Sequence, residues 1–277
     1  MTRRDPRPAL LSGETAALLR RVGADQLGEW RAGFAANVAT IAALAGAQGV
    51  TLFSDALNHA SLIDGCRMAT RQGAVLRVFR HRDYAHLREL LQNEERGGGA
   101  RRALVVTDGV FSMDGDIADI EVRMRLCFRT CSQAALRQGV LVRVGTAHSA
   151  LHYCAARARS LQSLHELKQQ FGFLLLVDDA HGTLVVGAHG GGTAEGARCG
   201  AAVDVHTGTL SKSLGGLGGF VAGSRALKRL LVNTARGYIY STALPAPCVA
   251  ASLAALDVFM RCAALLQQRR ARPLVGT

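Results

Sequence analysis

Short runs rich in valine and leucine alternate with helical stretches along most of the chain beyond Phe34. These runs begin near Val50, Val75, Ala103, Phe173 and Val203. They are not polar at alternate positions, which is typical of strands buried on both faces. Parallel strands of this kind need helices to connect them and to cover the sheet. The sequence therefore predicts an α/β fold with a mostly parallel sheet and helices on both faces.

Composition narrows the class of protein. The chain has 277 residues, 49% of them hydrophobic and 19% charged, so it can bury a substantial core. It contains no run of eighteen apolar residues that would predict a membrane span. Its first residues, MTRRDPRPAL, lack the apolar segment of a secretory signal. We expect a cytoplasmic protein, with an organelle as the alternative.

The net charge of +12 is unevenly distributed. Residues 121–160 contain seven arginines and a single acidic residue, Glu121. Only Phe128 and Tyr153 accompany those arginines, which is too few aromatic rings for a base-stacking surface. Nucleic-acid binding through this segment is therefore the weaker hypothesis, and no nucleic-acid partner is expected.

The seven cysteines are scattered without a CxxC pair, so they do not indicate a disulfide framework. Cys127, Cys131, His148 and His152 have the only ligand-like spacing, and it fits a zinc site poorly. We expect reduced thiols and no bound metal.

Lys212 is the most informative residue near the end of a predicted strand, where ligands of such sheets bind. It is one of three lysines among 33 basic residues, and the other two lie in helical contexts. Its surroundings, TGTLSKSLGGLGG, are small and hydroxyl residues that let the backbone approach a ligand closely. We interpret Lys212 as a nucleophilic amine, with an ordinary loop lysine as the alternative.

Asp178 and His181 follow another apolar run in the segment LVDDAHGT. A carboxylate at the end of a buried strand needs a partner. A pyridinium nitrogen would be suitable, because the protonated ring then accepts electrons from a carbanion. His181 could contact the phenolate oxygen of such a ring or the substrate. Metal binding or simple capping explains the bare spacing equally well.

Three further segments are ambiguous when taken singly. His59 could stack on a planar cofactor, or Asn58 and Ser61 could simply cap a helix. Ser112 lies in a turn-rich loop after a strand, either as a hydrogen-bond donor to a ligand or in an ordinary surface turn. Gly33 opens a predicted helix, whose first turn is suited to phosphate, although most helix starts bind nothing.

Six motifs in one order are more specific than any of these residues alone. They are GFAAN, LNHASLIDG, VTDGVFSMDGDIA, LLLVDDAHGTLVVG, HTGTLSKSLGGLGG and YIYSTALP. Together they resemble the α-oxoamine synthases, pyridoxal 5'-phosphate (PLP) enzymes of fold type I. These enzymes condense an amino acid with an acyl thioester and release carbon dioxide.

The resemblance implies PLP as cofactor, small-molecule substrates and a homodimer with its sites at the subunit interface. The substrates would be an amino acid and a thioester of coenzyme A or an acyl carrier protein. The most similar members join L-alanine to a pimeloyl-type thioester in biotin biosynthesis. Another α-oxoamine synthase, or a truncated and catalytically inactive relative, is the alternative.

The resemblance also assigns roles to individual residues. Lys212 would form the Schiff base and exchange the Cα proton, with His59 on the ring and His181 at the phenolate as the other catalytic residues. Ser241 and Thr242 would reach the phosphate in a partner subunit. The expected cofactor-binding residues are Gly33, Phe34, His59, Ser112, Asp178, His181, Thr209, Lys212, Ser241 and Thr242.

The same resemblance predicts the domain limits. Residues 1–27 form an atypical N-terminal segment, 28–268 a PLP-binding large domain and 269–277 a tail. Residues 121–163 are expected to be an insertion or a gene-model artefact, because the family connects its motifs almost directly there. The family's small C-terminal domain, with an arginine for the substrate carboxylate, is expected to be missing.

Overall fold

The computed structural model describes residues 26–46, 49–97, 102–111, 163–187 and 189–271, with side chains from Trp30 to Arg261 within these ranges. The strands are β1 Gln26–Trp30, β2 Val50–Asp55, β3 Val75–Phe79, β4 Arg102–Asp108, β5 Leu174–Asp178, β6 Val205–Thr209 and β7 Gly219–Gly223. The helices are α1 Gly33–Ala45, α2 Ala60–Arg71, α3 Tyr84–Arg96, α4 at 163–171, α5 Thr193–Gly196, α6 Arg225–Thr234, α7 Arg236–Ile239 and α8 Ala246–Ala271.

The seven strands form one sheet in the order β1-β7-β6-β5-β4-β2-β3. The five strands from β6 to β3 are parallel, whereas β7 is antiparallel to both of its neighbours. This arrangement confirms the predicted α/β fold with a mostly parallel sheet. The reversal at β7 follows from its short connection to β6, which has no crossover helix to return the chain to the other end of the sheet.

Helices bury both faces of the sheet. Neighbouring residues on one strand belong to different cores, as with Leu52 and Phe53 or Leu176 and Val177. One core lies under α1, α2 and α6, and the other lies under α3, α4 and α5. The absence of polar alternation in the inner strands therefore has a simple cause, because β2, β6 and β7 are buried on both faces.

Helices α1 and α2 pack closely because Gly65 has no side chain. A Cβ atom at this position would lie 2.9 Å from Ile41 Cδ1 and 3.2 Å from Val38 Cα. This contact matters for the site, since α1 and α2 together carry several of its polar residues.

The strands β2 to β5 begin within one residue of the predicted positions, and the strand β6 begins two residues later than expected. The edge strand β1 was missed and crosses the boundary drawn at residue 27. Its sequence, QLGEW, lacks an apolar run because the strand pairs with only one neighbour. Nearly all of the expected insertion at 121–163 lies outside the described residues.

The parallel strands end together at one edge of the sheet. Asp55, Asp108, Asp178 and Thr209 are the last residues of β2, β4, β5 and β6. Register places Asp108 beside Asp178, and Asp178 beside Thr207. The predicted convergence of polar residues at the carboxyl ends of the strands is thus a feature of the fold. No helix within the described part of the chain is long and apolar enough to cross a membrane.

Candidate active site

Asp178 lies at the centre of this edge and is only 6% exposed. Its Oδ2 accepts a hydrogen bond from Asn37 Nδ2 at 2.6 Å, and its Oδ1 accepts one from the Ala180 backbone N–H at 2.9 Å. Burial raises the pKa of the Asp178 carboxyl, whereas the two hydrogen bonds and the charges of Lys212 and His59 oppose that increase. The carboxylate is therefore fixed in direction, and a cationic partner would favour its ionised form.

Lys212 lies in the loop between β6 and β7, on the solvent-accessible side of this edge. Partial desolvation lowers the pKa of its amine, while the carboxylates of Asp178 and Asp108 favour the charged form. A lysine with a lowered pKa has a larger fraction of nucleophilic free amine near neutral pH. The structure thus brings together the predicted nucleophile and the predicted ring-nitrogen partner.

The loop that carries Lys212 is held by its own backbone. Gly216 N–H donates to Leu210 O at 2.8 Å, and Leu210 N–H donates to Gly218 O at 3.0 Å. Gly215 and Gly218 have φ angles of +62° and +125°, a region that residues with a Cβ rarely adopt. These two positions therefore favour glycine because of their backbone conformation, and the close approach of this loop to a ligand stays a prediction.

His59 is the N-cap of α2, and its own side chain accepts the capping hydrogen bond from Ser61 N–H. The expectation that Asn58 or Ser61 provides the cap is therefore wrong. The backbone N–H of His59 donates to Asp108 Oδ2 at 2.7 Å. Phe34 meets the His59 ring edge to face, with ring centroids 6.4 Å apart. Both rings are exposed, so a planar ligand has access to them.

Asn58 ties two strands together beneath this histidine. Its Nδ2 donates to Val106 O and Ser54 Oγ, and its Oδ1 accepts from Asp108 N–H at 3.0 Å. The amide is buried and fully used within the protein. Its function is to join β2 to β4 and to fix the position of Asp108.

Gly33 and Thr209 lie against each other where α1 begins. A Cβ on Gly33 would lie 3.2 Å from Thr209 Cβ. Gly219 also touches this point, since a Cβ there would lie 2.6 Å from Gly33 N. Thr209 Oγ1 bonds to Gly218 O at 3.0 Å and to Ser211 Oγ at 2.8 Å. The first turn of α1, whose N-cap Ala32 supplies no side-chain cap, thus opens beside the Lys212 loop.

The other predicted site residues lie at the periphery of the site or outside the described residues. Phe34 is 47% exposed at the start of α1, and His181 is partly buried in the turn after Asp178. Ser241 and Thr242 are exposed just after α7, and their role in a partner subunit stays a prediction. Ser112 lies outside the described residues. So do the four residues of the weak zinc pattern.

Asp179 is a second buried carboxylate, and no role was predicted for it. Its oxygens accept from Thr193 N–H at 2.8 Å and Thr193 Oγ1 at 2.9 Å. A Cβ on Gly109, Gly182 or Gly192 would lie 2.5 Å or less from one of these oxygens. Asp179 therefore anchors the glycine-rich segment that follows His181. The two adjacent aspartates therefore differ in function: Asp178 faces the site, whereas Asp179 stabilises the segment beside it.

Comparison with known proteins agrees with this geometry. The profile of the family described as Aminotransferase class I and II matches residues 31–151 and 154–275. The chain belongs to this family. It is 41% identical over 240 residues to 8-amino-7-oxononanoate synthase of Arabidopsis thaliana, covering 82% of this chain and 41% of that protein. It is 40% identical over 258 residues to the enzyme of that name from Geotalea daltonii, covering 92% and 51%.

Solved structures extend the likeness to the fold. Serine palmitoyltransferase of Sphingomonas wittichii matches with a TM-score of 0.67 and 29% identity, over 91% of this chain and 52% of that one. A serine palmitoyltransferase from S. paucimobilis, solved with a bound PLP-myriocin aldimine, matches with a TM-score of 0.66 and 25% identity, over 90% and 53%. The predicted fold type I and the likeness to α-oxoamine synthases are confirmed. The chain spans about half the length of the curated relatives it matches.

Proposed function

We propose that this chain takes part in the PLP-dependent condensation of L-alanine with a pimeloyl-type thioester, with release of carbon dioxide. The observation that carries the proposal is that Asp178, the last residue of β5, and Lys212, in the loop after β6, lie at the same edge of the sheet. A buried carboxylate, fixed by two hydrogen bonds, lies within electrostatic reach of an accessible lysine whose pKa is lowered. Curated relatives at about 40% identity bear the name 8-amino-7-oxononanoate synthase, which supports the choice of substrates.

The residues present suit PLP on chemical grounds. Asp178 is a buried carboxylate at an open edge of the sheet, and a protonated pyridine nitrogen would be a suitable cationic partner for it. Lys212 offers the amine that an aldehyde requires. Gly33 lies in the first turn of α1, where backbone N–H groups would bind a phosphate, and Thr209 packs against this turn. When bound, PLP supplies an electron sink for the carbanion formed at the substrate Cα.

The side chains have separable tasks in this proposal. The Lys212 amine would hold the cofactor at its aldehyde carbon and would also be the group that moves the proton at the substrate Cα. His59 covers one face of the ring and Asp178 keeps a negative charge at the ring nitrogen. His181, in the turn after Asp178, is assigned to the phenolate side. These roles need a ring that spans from Asp178 to Lys212, and both residues lie at the same edge of the sheet.

The decisive experiment is covalent trapping. The purified chain is mixed with PLP, its absorption spectrum is recorded, and borohydride reduction is followed by peptide mapping. We expect modification at Lys212 and none after Lys212→Ala. Lys228→Ala is the matched control, because Lys228 lies on the exposed helix α6. A folded chain that is modified equally at Lys228, or not at all, would overturn the proposal.

Serine palmitoyltransferase-type chemistry is the second candidate, because the solved structures compared above carry that name. The two activities share the cofactor and differ in amino acid and acyl chain. Thiol release from pimeloyl and palmitoyl thioesters, each with L-alanine and with L-serine, separates them. We expect the fastest turnover with L-alanine and the pimeloyl thioester. A trapped Lys212 without turnover would support the inactive-relative alternative.

A homodimer with shared sites is part of the proposal. Ser241 and Thr242 are exposed after α7, which packs beside α1. Their hydroxyls would bind the phosphate held at the partner's α1. Mixing Lys212→Ala chains with Ser241→Ala/Thr242→Ala chains tests this directly. Each mixed dimer then contains one site with neither defect, so activity should exceed that of either variant alone.

A further inference from the structure

The buried side chain of Asn37 contacts two different parts of the site. Its Nδ2 donates to Asp178 Oδ2 at 2.6 Å and to Ser61 Oγ at 2.8 Å. Its Oδ1 accepts from Thr207 Oγ1 at 2.6 Å. Both amide hydrogens and the carbonyl are therefore used, and a flipped amide would place its oxygen against the Asp178 carboxylate. The orientation of Asn37, which is only 2% exposed, is thus fixed.

Ser61 connects Asn37 to His59 through hydrogen bonds of its hydroxyl group. Because its Oγ accepts from Asn37, the serine hydroxyl hydrogen is available for His59 Nδ1, 2.7 Å away. The Ser61 backbone N–H donates to the same nitrogen at 3.2 Å. A ring nitrogen that receives a backbone N–H cannot carry its own hydrogen. Nδ1 is therefore the acceptor, and the ring proton resides on Nε2.

His59 is fixed at its backbone as well, through its N–H to Asp108 Oδ2. The ring thus has a defined position from α2 and a defined tautomer from Ser61. A hydrogen-bonded path runs from Asp178 through Asn37 and Ser61 to the His59 ring. Neither Asn37 nor Ser61 needs to touch a ligand for this path to operate.

We propose that Asn37 and Ser61 are positioning residues that link the Asp178 carboxylate to the His59 ring. Through this pair, one buried amide sets the direction of the carboxylate and the tautomer of the histidine. The consequence is that His59 presents an Nε2–H donor, not an acceptor, toward the open edge of the site. The significance for catalysis rests on the proposed function, whereas the tautomer itself is a property of the free chain.

The free chain therefore provides the first test. With ¹⁵N-labelled histidine, and His59→Gln to assign the signal, we expect Nδ1 of His59 to resonate as an unprotonated nitrogen and Nε2 as a protonated one. Ser61→Ala should move the two signals toward each other, because one of the two donors to Nδ1 is lost. Asn37→Leu should do the same without touching the ring. A protonated Nδ1 in the unmodified chain would overturn the inference.

Thr40→Val is the matched control on α1. Thr40 is fully buried, and its hydroxyl has no hydrogen-bond partner among the described residues. Its removal should leave the His59 signals unchanged. If Asn37→Leu does not fold, Thr207→Val serves instead, since it removes the donor that holds Asn37 Oδ1. A His59 signal that responds equally to Thr40→Val and Thr207→Val would contradict the path.

PLP binding provides the second test. Ser61→Ala should raise the dissociation constant of PLP about fivefold, as expected for the loss of one hydrogen bond. In a His59→Phe background the same change should have an effect of less than about twofold, because Ser61 then has no ring nitrogen to orient. Equal losses in both backgrounds would overturn the positioning role. If PLP binds no variant while the tautomer is as expected, the proposed function fails and the tautomer assignment stands.

Discussion

The two halves of the site are held in different ways. Around Asp178, buried side chains from α1, α2, β5 and β6 bond to one another across long distances in the sequence. Around Lys212, an exposed loop is closed by backbone hydrogen bonds within nine residues and by glycines with positive φ. The first arrangement fixes the direction of the carboxylate, and the second leaves the Lys212 side chain exposed on a closed loop. A site that must hold a ring and also exchange a proton benefits from both.

The largest expected effect is on the Asp178 carboxylate itself. Asp178→Asn keeps the shape of the side chain but removes its charge, so under the proposed function the protonated ring nitrogen would lose its partner. We expect the dissociation constant of PLP to rise about a hundredfold or more, as when one member of a buried charge pair is lost. An absorption titration measures it. Asp257→Asn, on the exposed surface of α8, should leave the constant unchanged.

A second prediction concerns β6, the strand that contributes Thr207 to the Asp178 half and leads into the Lys212 loop. His206 on this strand is 3% exposed, and burial lowers its pKa to about 4, which the charge of Asp204 partly opposes. The unfolded chain therefore binds a proton that the folded chain does not, so stability is full above about pH 6.5 and is lost as pH falls toward 4.

The expected loss in the free energy of unfolding is about 3 kcal/mol over that window. Urea unfolding at several pH values measures it. His206→Leu should flatten this part of the pH profile, since the titrating group is gone. An unchanged slope in that variant would assign the acid sensitivity to other groups.

The third prediction tests whether the hydrogen bonds around Asp178 also stabilise the fold. Asn37→Ala leaves the Asp178 carboxylate and the hydroxyls of Ser61 and Thr207 without their shared partner. We expect the free energy of unfolding to fall by about 2 to 3 kcal/mol, the typical cost of unsatisfied buried polar groups. Asn233→Ala, on the exposed side of α6, should cost less than about 0.5 kcal/mol. Equal losses would show that the hydrogen bonds of Asn37 add nothing to stability beyond those of an exposed side chain.

The smallest effect is expected in the Lys212 loop. Gly218→Ala imposes a Cβ on a φ of +125° and places it 2.8 Å from Leu244 Cδ1. A loss of stability of about 1 to 2 kcal/mol is expected. Gly215→Ala meets no atom within 4 Å at a φ of +62°, and should cost about 1 kcal/mol. Thermal unfolding compares the two, and the rate of Lys212 trapping should fall more for Gly218→Ala.

Much of the site could be predicted from the sequence because the key residues follow apolar runs. Lys212 and Asp178 stand at strand ends, where parallel strands deliver their residues to one edge. The confirmed likeness to the α-oxoamine synthases also depended on local motifs. Asn37 lay inside one of those motifs and still received no role, because a polar residue within a helix gives no local sign of its partner.

The sequence by itself determined which segments become strands and helices, since apolar periodicity acts over a few residues. It also determined which side chains lie at strand ends. Only the tertiary structure decided that β7 runs antiparallel and that β1 pairs with it. The tertiary structure also decided that Asn37 hydrogen-bonds to Asp178, which lies 141 positions away in the sequence. These are contacts between distant segments, and their geometry depends on how the helices and the sheet pack together.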